Sequence, residues 1–253
     1  MQNRLEFIDC CAGYGTKTVF ENINLSFGAG ETVALLGPSG CGKSTLLKLA
    51  AGIIRPFSGR VLVDGEPAAA ADRRVGLILQ NYGLFPWLTV YENIALGLKI
   101  RGGYKTKTGR SSSDDAVREI MKDLTLEGES DSYPGQLSGG QQQRVAIGRT
   151  LVLEPEVLLM DEPFSALDAI SRERLQELLL SMLEGRNIIT LLVTHSVEEA
   201  AFLGSRVLLI GGASSRITGD YANGNSGTAA YRADKRYFEL CGTIRRELRA
   251  DDC

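Results

Sequence analysis

Nine consecutive residues, Gly37-Pro38-Ser39-Gly40-Cys41-Gly42-Lys43-Ser44-Thr45, fit the pattern G-x-x-x-x-G-K-[ST] of a phosphate-binding loop. Glycines let consecutive backbone N–H groups turn towards phosphate oxygens, and a helix N-terminus adds positive potential. Lys43 would reach the terminal phosphates, the Ser44 hydroxyl would hold Mg2+, and Thr45 offers a further phosphate contact. Hydrolysis also needs the γ-phosphate held, its charge neutralised and a water aimed in line. Asp161 suits the metal side, and its neighbour Glu162 can polarise the water. Gln80 can contact metal or water. His195, the only histidine, can contact the γ-phosphate and respond to its loss. Tyr14, ahead of the loop, reads either as an ordinary turn aromatic or as a platform that stacks on adenine.

These residues need a scaffold that gathers them. Thr32 to Leu36 reads as a buried strand, and Leu46, Leu49, Ala50 and Ile53 recur at helical spacing beyond the loop. Gln80 stands at the end of a strand from Val75 to Leu79. Asp161-Glu162 follows the apolar run Val157 to Met160, and His195 lies just past the buried strand Ile188 to Val193, after Thr194. All four features thus lie at C-terminal strand ends, the edge where open α/β sheets bind ligands. A last core strand runs from Arg206 to Ile210.

Around this frame, 4–9 and 23–27 read as antiparallel strands about a turn at Gly13-Tyr14-Gly15, and Val61 to Val63 ends in the hairpin signal Asp64-Gly65. Thr89 and Glu92 have capping-box spacing ahead of a helix through Val90, Asn93, Ile94 and Leu98. Asp114 or Asp115 is expected to cap a helix whose buried face is Val117, Ile120, Met121 and Leu124. Further helices run from Leu137-Ser138-Gly139-Gly140-Gln141 to about Val152, over 172–183 through Leu175, Leu178, Leu179 and Met182, and through Phe238, Cys241, Ile244 and Leu248. Residues 102–115 lack an apolar period and read as a surface loop, with Lys105, Lys107 and Arg110 solvated. Residues 211–230 read as loops with a hairpin. Strands alternate with helices, so the class is α/β with a mainly parallel sheet.

The chain of 253 residues is 43% hydrophobic and 23% charged, enough to bury a sizeable core as one domain or two. A net charge of −3 argues against broad binding to nucleic acid. The five cysteines, Cys10, Cys11, Cys41, Cys241 and Cys253, lack paired metal spacing and read as reduced thiols of a cytoplasmic protein. Met1 to Glu6 has no signal-peptide character, and no run approaches the roughly 18 apolar residues of a membrane span.

Leu137-Ser138-Gly139-Gly140-Gln141 resembles the signature motif of ATP-binding cassette (ABC) ATPases. The order Tyr14, phosphate loop, Gln80, signature, Asp161-Glu162, Ser165-Ala166-Leu167-Asp168, His195 extends the resemblance over about 10–210. It implies a P-loop NTPase (RecA-like) core with an antiparallel β subdomain and an inserted α-helical subdomain. Within a single ABC domain over 1–253, residues 1–87 and 154–253 would form the core and β subdomain, and 88–153 the helical signature subdomain. It also implies a head-to-tail dimer, with ATP and Mg2+ held between the loop of one subunit and Ser138, Gly139, Gly140 and Gln141 of the other.

Leu84 to Asn93 is similar to ATPase subunits of importers for nitrate, sulfonate, taurine and related solutes, as are Leu158 to Leu167 and Ile244 to Leu248. This implies a peripheral subunit on the cytoplasmic face of the inner membrane. Its partners would be an integral membrane permease, a second ATPase subunit and, through the complex, an external solute-binding protein. Phe85, Trp87 and Leu88 become candidate permease anchors, with interior core as the other reading. Ser165 replaces a common Gly, and Ser196 a common Asp. A soluble cassette acting on nucleic acid or ribosomes, and a degenerate cassette that binds ATP without turnover, remain the alternatives. Homodimer or heterodimer and the solute stay open.

Overall fold

The computed structural model describes residues 4–101, 113–212 and 215–251. In chain order the elements are β1 (Arg4–Tyr14), β2 (Lys17–Gly28), β3 (Thr32–Leu36), α1 (Lys43–Ala50), β4 (Ser58–Val63), β5 (Glu66–Pro67), β6 (Val75–Ile78), α2 (Val90–Ile100) and α3 (Ser113–Asp123). There follow α4 (Gly139–Leu151), β7 (Val157–Asp161), α5 (Ala169–Leu183), β8 (Ile189–Thr194), α6 (Val197–Leu203), β9 (Arg206–Gly211), β10 (Arg216–Ala222) and α7 (Lys235–Asp251). A four-stranded antiparallel sheet has the order β2-β1-β4-β5, and a six-stranded sheet the order β10-β9-β3-β8-β7-β6. In the larger sheet β9, β3, β8, β7 and β6 are parallel, and only β10 is antiparallel, forming a hairpin with β9.

The unbroken apolar runs of the parallel strands serve two cores at once, as the period-2 alternation of a strand requires. Val33, Leu35, Val157, Leu159, Ile189, Leu191 and Val193 pack into a core with β1, β2 and α1. Their neighbours Ala34, Leu36, Leu158, Met160 and Leu192 pack on the other face, into a core shared with α2 to α7. Within the helical layer, Gly148 lets α4 lie close to Leu124: a Cβ there would come within 2.7 Å of Leu124 Cδ1.

Several local expectations need correction. The first two strands are longer than 4–9 and 23–27, and the turn falls at Gly15-Thr16. Pairing continues because Gly13 lies so close to Lys17 that a Cβ would sit 2.0 Å from its carbonyl oxygen. Helix α1 stops at Ala50, leaving Ile53 exposed, and Leu79 lies outside β6 and is also exposed. Asp114 and Asp115 occupy the first turn of α3 rather than its cap, where they complement the helix dipole. Helix α5 begins three residues early because the Asp168 carboxylate caps it, accepting from the N–H groups of Ile170 and Ser171. Leu178 of that helix is half-buried. In α7, Tyr237 is buried and Phe238 exposed. The expectations for Lys105, Lys107, Arg110 and Cys253 lie outside the described residues.

Helix α2 has the capping box expected of Thr89 and Glu92. It also carries a buried asparagine that fixes the segment before it. Asn93 Oδ1 accepts from the Phe85 N–H at 2.9 Å, while its Nδ2 donates towards the carbonyls of Phe85, Leu88 and Thr89 at 3.0–3.1 Å. This holds Phe85 and Trp87 on the surface with ring centroids 5.6 Å apart, and Trp87 is 69% exposed. Their interior-core reading is therefore excluded. Asn93→Ala is expected to cost about 1–3 kcal/mol by leaving these backbone groups unpaired. Urea unfolding checks this: the midpoint should fall with the slope unchanged.

Candidate functional site

The parallel register sets four strand ends level. Leu36 pairs with Thr194, Asp161 with Val193, and Ile78 with Met160. The 37–45 loop, Gln80, Asp161-Glu162 and His195 consequently share one sheet edge. Two glycines of the loop are required sterically. A Cβ on Gly37 would lie 2.1 Å from the Ile210 carbonyl oxygen. Gly42 has φ 92°, and a Cβ there would meet Val19 Cγ1 at 2.6 Å and Phe20 Cζ at 2.8 Å. No side chain caps α1, which leaves its first-turn N–H groups available to an anion.

The Lys43 ammonium is buried and donates to the carbonyls of Gly37 and Pro38 at 2.8 and 2.7 Å. Next to it, the Ser44 hydroxyl donates to Asp161 Oδ1 at 3.1 Å. Burial pushes the Asp161 carboxyl above the usual carboxylate range. The Ser44 hydrogen bond opposes that shift, Glu162 adds to it, and Lys48 and Lys43 oppose it. A hydroxyl beside an incompletely stabilised carboxylate is a hard oxygen donor set. Mg2+ favours one or two such protein ligands completed by substrate phosphate and water. Among the described residues no group of three or more His, Cys, Asp or Glu is placed to hold a metal ion.

Glu162 leaves β7 with φ 46°, a left-handed conformation costing about 1–2 kcal/mol in a non-glycine residue. Its N–H still donates to the Val193 carbonyl at 2.9 Å. Ser165 closes the turn, its hydroxyl donating to the Glu162 carbonyl at 3.0 Å, so the serine found in place of Gly has a structural use. Gln80 Nε2 donates to Glu162 Oε2 at 3.4 Å, and His195 Nδ1 lies 3.3 Å from the same oxygen. Ser196, in place of Asp, caps α6 by accepting from the Glu199 N–H at 3.2 Å.

An open cavity of about 730 Å3 is lined by Lys48, Leu79, Gln80, Asn81, Asp161, Ser165 and Ala166. Lys48 was missed in the sequence. It follows Ser44 by four residues on the same helical face, a spacing that could have marked it. Its Nζ lies 5.6 Å from the Tyr14 ring centroid and 3.4 Å from Tyr14 Oη, which also lies 3.5 Å from Thr45 Oγ1. Tyr14 thus stands exposed beside the loop.

The signature residues make local contacts of their own. Ser138 caps α4, accepting from the Gln141 N–H at 3.3 Å, while Gln141 Oε1 accepts from the Ser138 N–H at 2.9 Å. Gln141 Nε2 donates to Glu129, so this side chain is engaged within its own subunit. A Cβ on Gly139 would face Tyr82 Oη at 3.6 Å and Leu167 at 3.8 Å, whereas one on Gly40 would meet nothing within 4 Å. Among the described residues no hydrogen bond joins the signature to the 37–45 loop of the same chain. No helix among them is long and apolar enough to cross a membrane.

Fold and site together define a P-loop ATPase of the cassette type. The sequence profile of the family described as ABC transporter matches residues 20–165. The aliphatic sulfonates import ATP-binding protein SsuB of Bacillus anthracis is 45% identical over 196 residues, 78% of this chain and 75% of that protein. The taurine import ATP-binding protein TauB of Burkholderia pseudomallei strain K96243 is 43% identical over 234 residues, 89% of this chain and 88% of that one. The ATP-binding cassette MJ0796, solved as a dimer in a post-hydrolysis state with ADP and Pi, superposes with a TM-score of 0.73 at 30% identity, covering 86% of this chain and 98% of that one. This chain belongs to the ABC transporter family and is an ATP-binding, ATP-hydrolysing cassette.

The raised Asp161 carboxyl gives a signed expectation. A folded-state value above the unfolded one destabilises the ionised protein at neutral pH, and the penalty disappears as pH falls towards about 4. Asp161→Asn should therefore melt at a higher temperature than the nucleotide-free parent at pH 7, with the gap closing on acidification.

Proposed function

We propose that this chain is the ATPase subunit of a membrane importer for a small anion of the sulfonate or taurine kind, acting as a dimer of cassettes. Support for the solute class comes from the relatives named as aliphatic sulfonate and taurine import ATP-binding proteins. Support for the dimer comes from the similar cassette MJ0796, solved as a dimer, and from the placement of the signature, which is the observation that carries the mechanism. The phosphate loop and the carboxylates share one sheet edge, while the signature at the start of α4 shares no hydrogen bond with that loop among the described residues. A second copy would bring Ser138, Gly139 and Gly140 to the ATP bound by the first, aiming a helix N-terminus at the γ-phosphate. The region 88–153, with the signature, would then move as the helical subdomain against a core formed by 1–87 and 154–253.

In this reading the N–H groups and glycines of Gly37 to Thr45 cradle the phosphates, and Tyr14 stacks on adenine. Lys43 would exchange its two carbonyl partners for phosphate oxygens. Ser44, Asp161 and Gln80 are the residues that would hold Mg2+, which supplies neutralisation of phosphate charge. Glu162 accepts a proton from the attacking water. His195 and Gln80, at 3.3 and 3.4 Å from one Glu162 oxygen, orient that carboxylate, and His195 senses the γ-phosphate. Phe85, Trp87 and Leu88 form the contact to a permease, aromatic anchors being the side chains that dominate such interfaces. The complex would sit at the cytoplasmic face of the membrane and receive solute from an external binding protein.

Glu162→Gln should lower the turnover of ATP by about a hundredfold or more and leave ATP-dependent dimers on size-exclusion chromatography. Retained wild-type turnover would remove the carboxylate from the water-activating role. Ser138→Arg should keep ATP binding and lose the dimer.

A further inference from the structure

Behind the site lies a buried carboxylate that the mechanism has not used. Glu199, in the first turn of α6, is only 6% exposed. Its Oε2 accepts from Thr194 Oγ1 at 2.6 Å, and Thr194 Oγ1 in turn accepts from the Ser196 N–H at 3.0 Å. These two bonds grip the residues on either side of His195. The other oxygen, Oε1, lies 3.6 Å from Arg172 Nε. That Nε is buried and has no hydrogen-bond partner, while Arg172 Nη2 donates to the Leu167 carbonyl at 2.8 Å. Leu167 belongs to the loop whose Ser165 and Ala166 line the cavity beside Gln80 and Asp161. One ion pair therefore spans from the turn carrying His195 to the loop on the cavity wall. Its Nε contact is too long for a hydrogen bond, so an approach of under an ångström would create a charge-assisted one.

We propose that the Arg172–Glu199 pair is a positioning device that couples the His195 turn to the 165–168 loop, so that both reach their hydrolytic placement together. The chemistry of the residues supports this over simple core filling. A carboxylate is poorly suited to burial unless paired, and burial does push the Glu199 carboxyl above its usual range, with Thr194, Arg172 and His195 opposing. A fork-shaped guanidinium is what can hold a carbonyl and a carboxylate at once. Arg172 holds the Leu167 carbonyl and Glu199 the Thr194 hydroxyl, so they act through the loop and the His195 turn. This inference rests on the assignment of Glu162 and His195 to hydrolysis, and the experiment separates the two.

Steady-state ATPase kinetics of the full chain test it with E199Q, R172K, R172M and the double variant R172M/E199Q. E199Q keeps an acceptor for Thr194 but removes the charge. R172K keeps the charge but loses the reach to Leu167; with Arg172 34% exposed, this variant leaves the core intact. Each single variant should lower kcat about tenfold with KM for ATP within about twofold, and R172M/E199Q should be no slower than the slower of R172M and E199Q, the sign of one shared device. A kcat within about twofold of the parent for R172K and E199Q, losses that multiply in the double variant, or an effect carried by KM would overturn it. E162Q run alongside distinguishes the cases. If E162Q also turns over normally, the hydrolytic assignment itself fails, whereas an inactive E162Q beside normal R172K and E199Q overturns the coupling alone.

Discussion

Level parallel pairing of β3, β8, β7 and β6 is the constraint on which the site depends. Asp161 opposite Val193 and Leu36 opposite Thr194 put a phosphate loop, a carboxylate pair and a histidine on one edge. The two cores enforce that register. Alternate residues of each strand enter different cores, so a slip by one residue would send Val33 and Leu35, or Ala34 and Leu36, to the wrong face. The geometry of the polar edge is thus held by apolar side chains that never touch substrate.

That edge is costly in its resting form. Asp161 is held partly buried beside Glu162, and Glu162 occupies a left-handed backbone conformation. Cationic charge brought to Asp161 would offset the first feature, whereas the second is a backbone conformation that the fold itself maintains. Strain and poor solvation of this kind concentrate at functional sites because the surrounding fold over-determines them. Here the determining contacts are the Glu162 N–H bond to β8 and the Ser165 bonds that close the turn.

Much of this was legible in the sequence because it is local. The phosphate loop, the strand-end carboxylates, the Thr89–Glu92 capping box and the continuous apolar strands follow from spacing within a few residues. What escaped is what depends on partners distant in the chain. Lys48 enters the site because the fold brings Gln80, Asp161 and Tyr14 around it, and Glu199 matters because α5 brings Arg172 against it. Asn93 fixes Phe85 and Trp87 through backbone groups that no periodicity reveals. Helical spacing aligns Phe238 with Cys241 and Ile244, yet Phe238 is exposed and Tyr237 is the buried aromatic. The signature was legible as a motif, but its bond to Glu129 and its place beside Tyr82 and Leu167 belong to the tertiary arrangement.

The central claim is that a complete site takes its cradle from one copy and its signature from another. Mixing two singly inactive variants tests it: Lys43→Ala disables the cradle, and Ser138→Arg disables the signature. A mixed dimer places the intact cradle of the Ser138→Arg subunit against the intact signature of the Lys43→Ala subunit. The account predicts that ATP hydrolysis, absent from either variant alone, returns on mixing and rises with the fraction of mixed dimer. A mixture that stays as inactive as its components would contradict it.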